Sequence, residues 1–447
     1  MYNKINRFVI NKLWGDKTID LKLKDNKLII VGENGSGKTT ILRIIYEVLD
    51  CKWSLLANEE FESIQIYIDD NDPIIIEKKF IISAKELLLD FNDPIINEMP
   101  ITIKRKIREL HSIEGINISY SKVLELFDRY GYQNTDEYIK IQNKININEN
   151  EVIKRYTDNI KSALNFSILY MPTYRRIEKL SRNNRFLLRR YNLLDNKNSF
   201  EFVGMGMKDV EYEINKCLEE IKIKADRSAN RLNYQCFKGI LNKASYKIEY
   251  NKEILQIDAI EKVFGSLNED VLSKEESEQI KGNLINMRKE NILERQSYEQ
   301  IVYYFYNMLY ERYQEIKKDE KKILNFFDSC NKYLNNKKFI YNEKEYSYSI
   351  VMIDNEGGKR EIKLESLSSG EKQVVSMFSC LYLSPINNIL ILIDEPELSL
   401  SVPWQKRYLL DIVNGEACVG IVAVTHSPFV FDNSLKCFAR GLKEFIL

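Results

Sequence analysis

Apolar residues fall into two kinds of pattern along this chain. Near the N-terminus short apolar runs alternate with turns. FVINKLWG reads as a strand, TIDLKLK alternates with period two, and KLIIVG is a continuous apolar run closed by glycine. Period two marks a half-buried strand, and an unbroken run marks one covered on both faces. FESIQIYIDD and PIIIEKKFIIS predict two or three further strands. The C-terminal part repeats this style. KKFIYNEKEYSYSIVMIDNEGGKREIKL predicts a meander turning at 355–358, and NNILILIDE and CVGIVAVTH predict buried strands of a parallel sheet.

The middle differs. Residues 173–384 contain no proline and are rich in Glu, Lys, Leu and Ile. Proline costs about 3 kcal/mol inside a helix, so this composition favours long helices. Segments 205–245 and 270–330 carry apolar residues at mixed three and four spacings, with breaks expected at Gly239, Gly265 and Gly282. A short helical hairpin or bundle is expected rather than a long coiled coil. Strand-rich ends bracketing a helical middle predict one α/β domain built from both chain ends, with the middle inserted into it.

Composition narrows the function classes. Of 447 residues, 66 are Lys or Arg and 66 are Asp or Glu, so binding of nucleic acid by overall positive charge is excluded and only a local basic patch could do it. A hydrophobic content of 44% supplies a sizeable core and argues against disorder. No apolar run reaches the roughly 18 residues of a membrane span. The start, MYNKINRFVINK, shows no signal-peptide pattern, so a cytoplasmic location is expected. The seven cysteines are scattered and never spaced CxxC, which fits a reduced protein without a zinc knuckle, and two histidines leave little room for histidine-based metal sites.

Four segments carry chemistry. GENGSGKT, Gly32–Thr39, fits GxxxxGK[ST] between a predicted strand and a predicted helix, the context such a phosphate loop requires. Gly32, Gly35 and Gly37 let the backbone turn its N–H groups towards phosphate oxygens, and the helix start adds its positive end. Lys38 is placed for the β- and γ-phosphates of ATP, and Thr39 for Mg²⁺. Asn34, Ser36 and Thr40 complete the expected nucleotide contacts. The competing reading is a glycine-rich turn with a chance lysine. ILILIDE delivers Asp394 to a strand end, where it can hold Mg²⁺, with Glu395 beside it as a general base for the attacking water. The competing reading is a core strand ending in an acidic turn.

LSSGEKQ, Leu367–Gln373, offers Ser368, Ser369, Gly370 and Glu371 at a helix start, a further anion-binding arrangement that is also explained by a simple N-cap at Ser368. VAVTHSP puts His426 at a strand end, 31 residues after Glu395, where an imidazole can sense the γ-phosphate. Two further features are ambiguous. Tyr174–Arg190 has seven basic residues against one acidic, and reads as a phosphate-backbone contact or a solvated helix face. The aromatic run Tyr298–Tyr313 reads as a docking surface or as helix packing.

Taken together, GENGSGKT, LSSGEKQ, ILILIDEPELSLS and THS resemble an ABC-type ATPase head of the soluble branch that includes SMC proteins, RecF and the OLD-type ATPases. With YMPTYRRIE at 170–178, they are most similar to the ATPase subunits of bacterial anti-phage systems, those of PARIS (AriA) and Septu (PtuA) among them. The resemblance implies an organisation: 1–85 as the first part of the head, 86–165 as a helical insertion, 166–178 as a return to the head, 179–335 as a helical arm, and 336–447 as the rest of the head.

It further implies that Ser368 and Gly370 contact the γ-phosphate held by a second protomer, so that two heads close head-to-tail around two ATP molecules, and that Leu398–Ser401 crosses that interface. Higher homo-oligomers are compatible with it. The implied function is a nucleotide-gated assembly that senses phage and controls a separate toxin or nuclease; the alternative is a RecF- or SMC-like ATPase acting on DNA. No nuclease activity is expected of this chain, and DNA or an acidic phage protein are further candidate partners. The pattern departs from the family at Ser369 (glycine in transporters), Glu371 (glutamine there) and Ser401 (often histidine in relatives). No clear Q-loop glutamine stands out: 173–176 occupies its expected place and Gln65 is a weaker candidate.

Overall fold

A computed structural model describes residues 2–83, 89, 93–114, 120–130, 132, 135–147, 151–172, 199–201, 206–242, 251–267, 273–289, 297–354, 356–384 and 386–447. The fold is mixed α/β and divides into two compact units.

The first unit takes residues 1–175, 189–203 and 386–447. It holds two sheets. One is antiparallel, in the order β2-β1-β4-β5, from β1 (Ile5–Leu13), β2 (Lys17–Lys22), β4 (Ser63–Ile68) and β5 (Ile74–Glu77). The other is parallel, in the order β13-β3-β12-β11-β6-β7, from β3 (Lys27–Val31), β6 (Ser167–Met171), β7 (Ser199–Glu201), β11 (Ile389–Asp394), β12 (Cys418–Thr425) and β13 (Ala439–Gly441). Sequence-distant strands are neighbours here: Ile391 pairs with Leu169 on one side and Ile421 on the other, and Val424 pairs with Ile30. All six residues of β11 are buried, as an unbroken apolar run in a covered sheet requires.

Helix α1 (Lys38–Leu49) packs on β6, β11 and β12 and joins both sheets in one core. Ile41, Leu42, Ile44 and Ile45 are buried in that core, and Tyr46 stacks on Tyr170 with ring centroids 4.4 Å apart. The segment PIIIEKKFIIS forms only one strand: β5 ends at Glu77 and Lys78–Ser83 is helical. A smaller apolar cluster, with Ile103, Ile107, Val123 and Phe127, sits among short helices between residues 94 and 147.

The second unit takes residues 176–188 and 204–385. Two helices of 35 residues, Met207–Leu241 and Ser297–Asn331, run antiparallel: Lys224 meets Asp319, Arg231 meets Glu315, and Gly239 lies against Tyr304. Each is about 52 Å long. The expected breaks at Gly239 and Gly282 do not occur. Both glycines lie inside helices, and Gly239 is a contact point, since a Cβ there would stand 2.1 Å from the Tyr304 hydroxyl. Gly265 does end its helix, Ile257–Gly265.

Around these helices lies an apolar cluster with Leu255, Ile260, Val263 and Leu284, into which Tyr303 and Tyr306 of the aromatic run are buried. The Tyr306 hydroxyl donates to the Ile254 carbonyl at 2.7 Å. Tyr298 stays exposed. The predicted meander forms as β8 (Lys337–Asn342), β9 (Ser347–Ile353) and β10 (Lys359–Ile362), with Gly357 at φ +84° in its last turn. It leads into the helix Ser369–Tyr382. The basic stretch Tyr174–Arg190 and the segment 173–176 lie outside the described residues.

Candidate nucleotide site

The phosphate-loop segment connects β3 directly to α1, and two of its glycines take backbone conformations that other residues avoid. Gly35 has φ +76° and Gly37 φ +93°, a region that side chains with a Cβ avoid. A Cβ on Gly37 would also stand 2.0 Å from the Trp14 ring. Gly37 is the N-cap of α1, and no side chain caps that helix start, so its first N–H groups are left for another acceptor. The Ser36 hydroxyl is buried without a hydrogen-bond partner among the described residues. Lys38 is almost fully buried, and its Nζ donates to the carbonyls of Gly32 and Glu33, both at 2.8 Å. Asn34 and Gly35 are exposed at the loop tip, and Thr40 is half-buried.

Strand β11 brings Asp394 to the same place from 355 residues further along the chain. Thr39 Oγ1 donates to Asp394 Oδ1 at 3.2 Å, and Asp394 is fully buried. A hydroxyl and a carboxylate oxygen converging beside a helix start form an oxygen donor set of the kind Mg²⁺ prefers. The loop with its uncapped N–H groups and buried Lys38 fits a phosphate chain. The residues present therefore fit both ATP and Mg²⁺.

Beyond Asp394 the chain turns sharply. Glu395 has φ +46°, and its N–H donates to the Val424 carbonyl at 2.9 Å, extending the sheet pairing by one bond. Glu395 Oε2 lies 2.6 Å from His426 Nδ1. Carboxylate oxygens on Nδ1 place a proton there, so the ring presents Nε2 as acceptor when neutral and donor when charged. Burial pushes the Glu395 carboxyl above the ordinary carboxylate range, the neighbouring Glu397 pushes it the same way, and His426 partly opposes them.

Glu397 is the residue that sequence reasoning left without a role. One oxygen, Oε1, accepts from the Thr425 hydroxyl at 2.6 Å, from the His426 N–H at 3.1 Å and from the Ser427 N–H at 3.0 Å. Its other oxygen is buried without a partner among the described residues. The side chain thus fixes the backbone that carries His426. The available signal was the second glutamate in DEPE, two positions beyond the first. From the same turn, Ser427 Oγ donates to Gln405 Oε1 at 2.8 Å, and Gln405 Nε2 donates to the Leu400 carbonyl at 2.9 Å. The 398–401 loop is thereby tied to the His426 turn. Among the described residues, Glu395, Glu397 and His426 also bring one ligand-capable atom each within 4.8 Å of one another.

The structure gathers Gly32 to Thr40, Asp394, Glu395 and His426 in the first unit. Ser368, Ser369, Gly370 and Glu371 lie in the second. There Ser368 caps the helix Ser369–Tyr382 in a reciprocal capping box with Glu371. Ser368 and Ser369 are exposed, while Gly370 and Glu371 are buried. Gln65 lies in β4 and accepts from the Tyr67 hydroxyl at 3.0 Å.

Residues 4–431 match the family described as AAA ATPase domain. No curated protein matches the chain. Among solved structures, the chain is similar to the Smc head domain with an extended coiled coil bound to the C-terminal domain of ScpA from Pyrococcus furiosus, at 14% identity over 96% of this chain and 91% of that one, with a TM-score of 0.34. It is also similar to the Smc head domain with a coiled coil and joint from Pyrococcus yayanosii, at 15% identity over 96% and 93%, with a TM-score of 0.29. The family match runs from β1 through the phosphate-loop segment and Asp394 to the turn after His426, and the chain belongs to the AAA ATPase domain family.

Proposed function

We propose that this chain hydrolyses ATP at a composite site between two protomers arranged head to tail, and that the nucleotide-gated assembly controls a separate effector in anti-phage defence. The observation that carries the ATPase reading is the convergence of Thr39, Asp394, Glu395 and His426 around one phosphate-binding loop. The effector reading is supported by the motif resemblance alone.

Lys38 leaves its backbone carbonyls for the β- and γ-phosphate oxygens, and the loop N–H groups bind the phosphate chain. Thr39 and Asp394 would hold Mg²⁺, which would neutralise charge on the phosphate chain when bound. Glu395 takes a proton from the attacking water, and His426, fixed by Glu395 and by Glu397 through its backbone, contacts the γ-phosphate from the far strand end. The turn Ser368–Gly370 of the second protomer completes the site. The local nature of the Glu395–His426 pair means that the base sits in position before the second protomer arrives, while the phosphate contacts are finished only in the dimer.

A second reading, a DNA-clamping ATPase, draws support from the basic stretch Tyr174–Arg190. One experiment separates the two. Tagged Glu395→Gln protein is recovered from its native cells in Mg-ATP, with half the lysate treated with nuclease. A discrete second protein that survives nuclease supports effector control. DNA alone, lost on treatment, overturns that reading in favour of the clamp.

A further inference from the structure

The helix Ser369–Tyr382 starts with an electrostatic conflict. A helix start that is to meet a phosphate benefits from positive potential, yet its first turn carries Glu371. The structure resolves the conflict with a residue far away in sequence. Lys337, the first residue of β8, donates from Nζ to both carboxylate oxygens of Glu371, at 3.0 and 2.8 Å. The pair is largely withdrawn from water, with side-chain exposures of 18% and 4%. Glu371 Oε2 also accepts the Ser368 N–H at 2.7 Å. The carboxylate is therefore turned inward and neutralised, while Ser368 and Ser369 stay exposed. Burial pushes the Glu371 carboxyl up, and Lys337 with the Ser368 contacts more than reverses this, so the group is held below its ordinary range and stays charged.

We propose that Lys337 is a positioning residue for the phosphate contact made by this turn: it cancels the Glu371 charge that would otherwise repel the incoming γ-phosphate of the second protomer. The inference rests on the head-to-tail reading above. It makes a prediction that a purely structural salt bridge does not. Lys337→Met and Glu371→Gln break the same pair, and both lower the melting temperature. They change the local charge in opposite directions, so they act oppositely on ATP-driven assembly.

The test measures dimer mass by light scattering against rising Mg-ATP, in the full-length chain carrying Glu395→Gln to trap bound ATP. Lys337→Met raises the ATP concentration for half-maximal dimer by about tenfold or more. Glu371→Gln needs no more ATP than the parent. The double variant Lys337→Met with Glu371→Gln returns to within about threefold of the parent, since neither charge remains. An increase with Glu371→Gln comparable to that with Lys337→Met makes the pair structural only and overturns the proposal. An unchanged requirement in Lys337→Met overturns it as well. If Lys337→Met does not fold, Glu371→Gln is read against the parent: an ATP requirement at or below the parent's supports the proposal, and one raised by about threefold or more overturns it. A Glu395→Gln parent that stays monomeric in Mg-ATP removes the head-to-tail reading, and the proposal with it.

Discussion

The carboxylate of Glu395 and the imidazole of His426 meet at 2.6 Å although 31 residues separate them. Adjacent parallel strands make this possible: β11 and β12 end side by side, and Asp394 pairs with Val424. Each strand then delivers its next residues to the same edge of the sheet. Both residues follow directly on the ends of adjacent strands, and the groups around them tune the pair's chemistry.

The first consequence concerns pH. A general base works only when deprotonated, so hydrolysis falls as pH drops through the Glu395 pKa. Burial and Glu397 raise that value, so the acidic limb of the rate profile lies above the ordinary carboxylate range. His426 lowers it, so His426→Gln moves the limb to higher pH in addition to reducing the rate. Glu397→Gln removes a raising group and moves it to lower pH. Profiles of kcat measured at saturating Mg-ATP check both signs.

Glu397 carries stability as well as position. Its Oε1 satisfies three donors in a buried turn. Glu397→Ala removes the acceptor of the His426 N–H and leaves the Ser427 N–H only the Thr425 hydroxyl, and costs about 2–4 kcal/mol, whereas Glu397→Gln keeps an acceptor and costs about 1 kcal/mol. Urea denaturation of the two variants measures the difference, and equal losses contradict the account.

The phosphate-loop glycines are not equivalent. Gly37→Ala meets both a positive φ and the Trp14 ring, so it costs more than about 2 kcal/mol and abolishes ATP binding. Gly35→Ala meets a positive φ but open space, so its cost stays near about 1 kcal/mol. Thermal melts and fluorescent-nucleotide titrations of both variants test this order.

The contact between Thr39 and Asp394 predicts shared responsibility for the metal. Thr39→Val and Asp394→Asn each raise the Mg²⁺ concentration needed for half-maximal hydrolysis by about tenfold or more, and chelation stops the wild-type reaction. A Mg²⁺ requirement unaltered in both variants removes them from the metal site.

Much of the fold was legible because apolar runs and turns carry local information. KLIIVG and NNILILIDE, short apolar runs bounded by turn residues, read as covered strands, and they form β3 and β11. The two or three strands expected of FESIQIYIDD and PIIIEKKFIIS are two, because a short apolar run such as FIIS fits a strand or a helix equally, and the contacts that settle Lys78–Ser83 as helix are not local. Gly239 was misread for a related reason. Its helix penalty is about 1 kcal/mol, and close packing on Tyr304 in the partner helix offsets it, which no local pattern reveals. Asp394, Glu395 and His426 were visible as residues at strand ends. Glu397, Gln405 and Lys337 were not, because their roles lie in hydrogen bonds to distant backbone or to a buried charge, and these leave no spacing in the sequence.

The central claim is that Glu395 is the base of an ATPase whose nucleotide is held by Lys38 and its loop. It is tested most directly by comparing nucleotide affinity and steady-state phosphate release in the wild-type chain, Glu395→Gln and Lys38→Ala. The account predicts that Glu395→Gln binds ATP as tightly as wild type but releases phosphate at least about 100-fold more slowly, while Lys38→Ala loses binding. Phosphate release by Glu395→Gln at the wild-type rate would contradict it.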